Sequence, residues 1–179
     1  MKIYVMRHGQ TEWNKNGIIQ GQQDIELNET GIEQARNQIK IFNEKNIDLI
    51  ISSTLKRAKK TAQTVSSDKK VEIIYDDRLK ERKFGEYEGT PSNFNEDYLY
   101  NTKTNINEKN IETAQELYKR VESILNEVKE KYKDKKVLLV THGGTTRAIE
   151  AYFYGVDKNN IMPPETIKNC EIREYEYKD

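Results

Sequence analysis

Val137-Leu138-Leu139-Val140-Thr141-His142-Gly143-Gly144 begins with four aliphatic residues in a row and ends on a histidine and two glycines. A run of that length without polar alternation reads as a strand covered on both faces, the situation of a parallel sheet sandwiched by helices. Apolar positions at Ala148, Ile149, Tyr152 and Phe153 then predict a helix following Gly144. Outward from this stretch, residues 47–52 repeat the continuous pattern with Ile47, Leu49, Ile50 and Ile51, and shorter runs at 3–6 and 71–75 read as two more strands. Helical periods lie between them. Asn28 is placed to cap a helix over 28–43, with Ile32, Ala35, Ile39 and Phe42 on its inner stripe. Ser53 or Thr54 is placed to cap a second, which carries Leu55, Ala58, Ala62 and Val65 inward. The longest period spans 112–132, with Ala114, Leu117, Val121, Ile124, Leu125 and Val128 on one face. Strand and helix alternate, so the expected architecture is α/β: a three-layer α/β/α sandwich with a mostly parallel central sheet flanked by helices, in a single domain over 1–179. Residues 171–177 alternate charged and apolar side chains and read as an edge strand. Residues 90–110 are polar and aperiodic, and are expected to cross the functional face, as a lid or as a plain surface loop.

Composition narrows the partners. Lys plus Arg total 30 and Asp plus Glu total 30, so net charge gives no drive toward nucleic acid or a membrane surface, and any anion must be held by a few placed cations. The apolar run at the start is too short for a signal segment or a membrane span, and Cys170 is the one cysteine, which suits a reducing compartment. The expectation is a cytoplasmic protein.

The chemistry concentrates at the carboxyl ends of the expected strands, where ligands bind in open α/β sheets. The sequence holds two histidines, and both stand there: His8 in Arg7-His8-Gly9, and His142 in Thr141-His142-Gly143. A lone histidine is more often a satisfied core or surface residue; two in the same setting, each followed by a glycine that lets backbone approach a ligand, point to one shared site. Arg57, in Ser52-Ser53-Thr54-Leu55-Lys56-Arg57, falls in the first turn of a helix, where the positive helix end already favours anions. With Arg7 it offers two guanidiniums for a phosphate. A zinc site would need Glu12, Asp24 or Glu81 as a third ligand, and the arginines would repel the cation, so no metal and no cofactor are expected.

Arg7-His8-Gly9-Gln10-Thr11-Glu12-Trp13-Asn14 resembles the signature of the histidine phosphatase superfamily, in its phosphoglycerate-mutase-like branch. The resemblance continues through Gln20-Gly21, Ser52-Ser53 to Arg57-Ala58, Leu79-Lys80-Glu81 with Phe84-Gly85-Glu86, Thr141-His142-Gly143-Gly144 and Asn169-Cys170. It implies that His8 attacks phosphorus, that Arg7, Arg57 and His142 bind the transferring phosphoryl group, and that Glu81 exchanges protons with the leaving and entering oxygens. It also implies substrate-binding positions at Asn14, Gln20, Gly21 and Gly143. From composition alone Glu81 would read as an exposed carboxylate in a charged run, and only the resemblance lifts it out.

The resemblance implies a hydrolase for a small phosphate ester, such as a sugar phosphate, a phosphoglycerate or ribazole phosphate. The short chain and the stretch Phe84-Gly85-Glu86-Tyr87-Glu88-Gly89 look like phosphatases rather than mutases. Ile18 and Ile19 stand where an arginine is often found, which argues against a bisphosphate. A 2,3-bisphosphoglycerate-dependent mutase and a non-catalytic phospho-ligand or protein-binding module remain the alternatives, and the sequence is silent on oligomeric state.

Overall fold

The computed structural model describes residues 1–92, 95–104, 110–164 and 167–178. Strands β1 (Lys2–Arg7), β2 (Leu49–Ser52), β3 (Glu72–Tyr75), β4 (Val137–Thr141) and β5 (Ile172–Glu176) form one sheet in the order β3-β2-β4-β1-β5. β1, β2, β3 and β4 run parallel, and β5 lies antiparallel to β1 at the edge. The helices are α1 (Glu12–Lys15), α2 (Glu29–Asn37), α3 (Ile39–Lys45), α4 (Lys56–Val65), α5 (Glu96–Leu99), α6 (Ala114–Lys131) and α7 (Gly143–Tyr154).

The sequence pattern explains the layers. All five residues of β4 are buried. Val137 and Leu139 join Ile3, Val5, Leu49 and Ile51 against α6 and α7, while Leu138 and Val140 join Tyr4, Met6 and Ile50 against α2, α3 and α4. Each such aliphatic side chain contributes about 1.5–3 kcal/mol when taken fully out of water. α6 presents the expected stripe, and a capping box fixes its start: Thr113 Oγ1 accepts from Glu116 N–H at 3.1 Å and Glu116 Oε2 accepts from Thr113 N–H at 2.8 Å. Among the described residues no helix is long and apolar enough to cross a membrane.

Several local expectations change. The helix expected over 28–43 is two, α2 and α3, separated by a tightened turn at Gln38 whose N–H reaches Ala35 O at 3.1 Å. Neither Ser53 nor Thr54 caps α4, whose N-cap is Leu55. The carboxylate of Asp24, brought in by a distant loop, accepts from the first-turn N–H of Lys56 at 2.7 Å instead. The edge strand is present as β5. Tyr175 and Tyr177 are buried, with hydroxyls donated to Glu150 and to Leu125 O. Within the 90–110 excursion, residues 93–94 and 105–109 lie outside the described residues. The part from 95 to 104 is built into the body: Leu99 and Tyr100 belong to the core, and Tyr100 lies between the guanidiniums of Arg82 and Arg147, 4.8 and 3.6 Å from its ring centre.

Candidate active site

Three parallel strands deliver their carboxyl ends to one place. The β1–β4 register sets Arg7 opposite Thr141, and His8 N–H donates to Thr141 O at 2.9 Å. On the other side of β4, Ser53 N–H donates to Val140 O at 2.9 Å. His8 and His142 therefore emerge side by side, with ring centres 5.1 Å apart.

Hydrogen bonds fix the proton on each ring. His8 Nδ1 lies 2.7 Å from Gly9 O. A carbonyl can only accept, so Nδ1 carries the proton and Nε2 keeps its lone pair. Arg57 Nε donates to His142 Nδ1 at 3.1 Å, so His142 carries its proton on Nε2 and donates it to Ser53 Oγ at 2.7 Å. Both imidazoles are held well below the ordinary histidine pKa, first by burial and next by the Arg57 charge; Arg7 acts on both in the same direction. They are neutral at physiological pH, as a nucleophilic imidazole must be.

Arg57 is fully buried in the first turn of α4. Its Nη1 and Nη2 donate to Gln23 O and Gly21 O, both at 2.7 Å. Burial lowers its pKa to about 10, which still leaves it charged near pH 7. Arg7 reaches the same cleft from β1. Glu81 arrives from the segment after β3. Its Oε1 accepts from the N–H groups of Arg82 at 2.7 Å and Thr145 at 3.1 Å, and its Oε2 from Gly144 N–H at 3.1 Å. The carboxylate thus sits on the positive end of α7. A Cβ at Gly144 would stand 2.6 Å from both Glu81 Oε1 and Tyr100 Oη, so any other residue here displaces the ends of those two side chains.

Asn14 is the N3 residue of the Thr11 capping box on α1. Its Oδ1 is turned back to Thr11 N–H and Oγ1, both at 3.2 Å, which leaves its Nδ2 donor group on the other side. Gln20 Oε1 accepts from Thr11 Oγ1 at 2.9 Å. A cleft of about 230 Å³ is lined by Arg7, His8, Asn14, Gln20, Gly21, Arg57 and Glu81, with Trp13, Ile18, Phe84, Leu99 and Tyr100 forming its apolar wall. Two residues expected at the phosphate stand behind this surface. His142 and Gly143 are buried and are not part of the lining; the neighbouring Gly144 is. Among the described residues no three His, Cys, Asp or Glu side chains converge as metal ligands.

Sequence reasoning passed over several contributors. Ser53 read as a helix cap, yet its hydroxyl partners His142. Glu88 sat in a motif without a role, yet its Oε1 gathers the N–H groups of Gln22 and Phe84, each at 3.0 Å. Arg120 carried no motif at all. Its one signal is a charge at the margin of the apolar stripe of α6.

The sequence profile of the histidine phosphatase superfamily (branch 1) matches residues 3–179. The uncharacterized phosphatase PhoE of Bacillus subtilis (strain 168) is 37% identical over 179 residues, covering 98% of this chain and 91% of that protein. Phosphoserine phosphatase 1 of Hydrogenobacter thermophilus is 30% identical over 164 residues, covering 88% and 78%. Among solved structures, phosphoserine phosphatase from Entamoeba histolytica in complex with 3-phosphoglyceric acid superposes with a TM-score of 0.79 at 26% identity, over 97% of this chain and 89% of that one. A match from the first strand to the last residue, shared with relatives of nearly the same length, makes this chain a member of branch 1 of the histidine phosphatase superfamily.

Proposed function

We propose that the chain hydrolyses phosphomonoesters of small metabolites through a covalent phosphohistidine at His8. One observation carries the reading: a buried pair of imidazoles, 5.1 Å apart and beside Arg57, in which the His8 proton is tied to Gly9 O. His8 Nε2 attacks phosphorus and the ester P–O bond breaks, while Glu81, having taken up the proton of the bound phosphate monoanion, passes it to the leaving oxygen. Water then attacks the phosphohistidine, the P–N bond breaks, and Glu81 takes a proton from that water. Arg7 and Arg57 offset charge on the equatorial phosphoryl oxygens, with His142 behind them. Asn14 Nδ2 and Gln20 complete the phosphate wall. For His142 Nε2–H to reach a phosphoryl oxygen, it must leave Ser53 Oγ. The phosphatase names among the relatives and the apolar far wall support hydrolysis of a small ester, and the lone buried Cys170, whose thiol burial pushes up to about 12, suits a cytoplasmic setting.

Release of nitrophenol from para-nitrophenyl phosphate tests the proposal, read beside acid-quench trapping of phosphate on the protein. The native chain should release it and carry an acid-labile phosphate, and His8→Ala should do neither. Equal rates for the two proteins would overturn the reading in favour of a binding module. Isomerisation of phosphoglycerate that depends on added 2,3-bisphosphoglycerate would replace hydrolysis with mutase chemistry.

A further inference from the structure

Glu81 stands on a segment without regular secondary structure between the turn at Asp77–Leu79 and the turn at Gly85–Tyr87. Its carbonyls have no ladder, and each must find a donor elsewhere. All four from 78 to 81 find side chains. Leu79 O accepts from Thr141 Oγ1 at 2.8 Å, and Lys80 O from Thr145 Oγ1 at 2.7 Å. Glu81 O accepts from Gln22 Nε2 at 3.0 Å. Arg120 supplies the rest: Nη1 donates to Arg78 O at 2.7 Å and Lys80 O at 2.8 Å, and Nη2 to Glu81 O at 3.1 Å. Its remaining two N–H groups go to Glu112, Nε to Oε1 at 2.5 Å and Nη2 to Oε2 at 2.9 Å. All five guanidinium donors are thus in use. Glu112 grips the far side of the same segment, where its Oε2 accepts from Lys83 N–H at 3.1 Å and its backbone O from Arg82 Nε at 2.8 Å.

We infer that the Arg120–Glu112 pair is the clamp that aims Glu81, making Arg120 a positioning residue for the proton-transfer step. The inference rests on the proposed role of Glu81. Arg120 acts through backbone and touches no substrate, since it lies outside the cleft lining. Lysine cannot replace it, because an ammonium has no planar fork to reach three carbonyls and a carboxylate together.

The test measures kcat/KM for an aryl phosphate with an acidic leaving group and for an alkyl phosphate with a poor one, in Arg120→Lys and Arg120→Met. Loss of aim should slow the alkyl ester on the order of 10- to 100-fold and the aryl ester much less. In a Glu81→Gln background the same Arg120 substitutions should cost almost nothing more. Glu112→Gln keeps the side chain's shape and serves where an Arg120 variant fails to fold; it should show the same selectivity on a smaller scale. Equal losses on both esters in folded variants, or an Arg120 effect of undiminished size in Glu81→Gln, would overturn the inference. A native enzyme with no His8-dependent turnover would fail the proposed function instead, and is distinguished by the His8→Ala control.

Discussion

Glu81 is the residue whose proposed role can be separated most cleanly from the rest. A general acid matters in proportion to how badly the departing oxygen needs a proton. Glu81→Gln should slow alkyl phosphates by about 10²- to 10⁴-fold. Para-nitrophenyl phosphate, whose leaving group departs without help, should still phosphorylate His8. Native-rate cleavage of alkyl esters by Glu81→Gln would remove its role as proton donor. The imidazoles give a second residue-scale prediction. Burial and neighbouring guanidiniums disfavour the charged form of each, so neither should titrate near the ordinary value of about 6.5. The sequence has two histidines, so proton NMR reports them without labelling, and His8→Ala assigns them. Both signals should stay in their neutral positions as pH falls through 6.5, and a normal titration of either would contradict the burial argument.

At the scale of elements, the start of α7 is where fold and chemistry compete. Alanine is the better helix former, by about 1 kcal/mol over glycine. At residue 144, however, its Cβ would press on the end of the Glu81 side chain and on the Tyr100 hydroxyl. The carboxylate can swing away at little cost to the fold. Gly144→Ala should therefore leave the melting temperature unchanged or raised, while lowering turnover on the order of 10-fold or more; a fully active variant would show that Glu81 tolerates the shift. Thr113→Ala should do the reverse, losing about 1 kcal/mol of stability in denaturant titration with α6 uncapped. The elements also show what a sequence reveals and what it hides. β4 and α6 were legible because burial on both faces and a 3.6-residue period each leave a local signature. The helical break at Gln38 was hidden, since the apolar stripe runs through it unchanged. The cap on α4 was hidden for a different reason: it comes from Asp24, and no local pattern announces a partner from a distant loop. The same holds within the site. His8, His142, Arg7 and Arg57 were legible because strand ends and helix starts carry them. Arg120 and Ser53 act through tertiary contacts alone.

For the whole molecule, the buried imidazoles couple the active site to acid stability. Their folded pKa values lie below the unfolded ones, so the unfolded chain binds more protons once pH drops below about 6.5. Stability is fully present above that value and declines as pH falls toward the folded values. Each histidine contributes a slope of up to about 1.4 kcal/mol per pH unit. The carboxylates with lowered pKa, such as Glu116 and Glu127, add their losses only at more acidic pH. Urea midpoints measured between pH 7 and pH 5 should therefore fall steadily, and a flat profile would mean that the histidines ionise freely in the native state. The sheet order, which seats β1 directly beside β4, also bears on how the chain is made. Those strands are separated by roughly 130 residues of chain, and the His8–His142 pair is created by their pairing. A ribosome adding about 5–20 residues per second needs on the order of ten seconds to travel that distance. Throughout that interval Tyr4 and Met6 can pack only against the earlier members of their cluster, such as those of α2, α3 and α4, so a nascent chain halted short of β4 would hold His8 without its neighbouring imidazole.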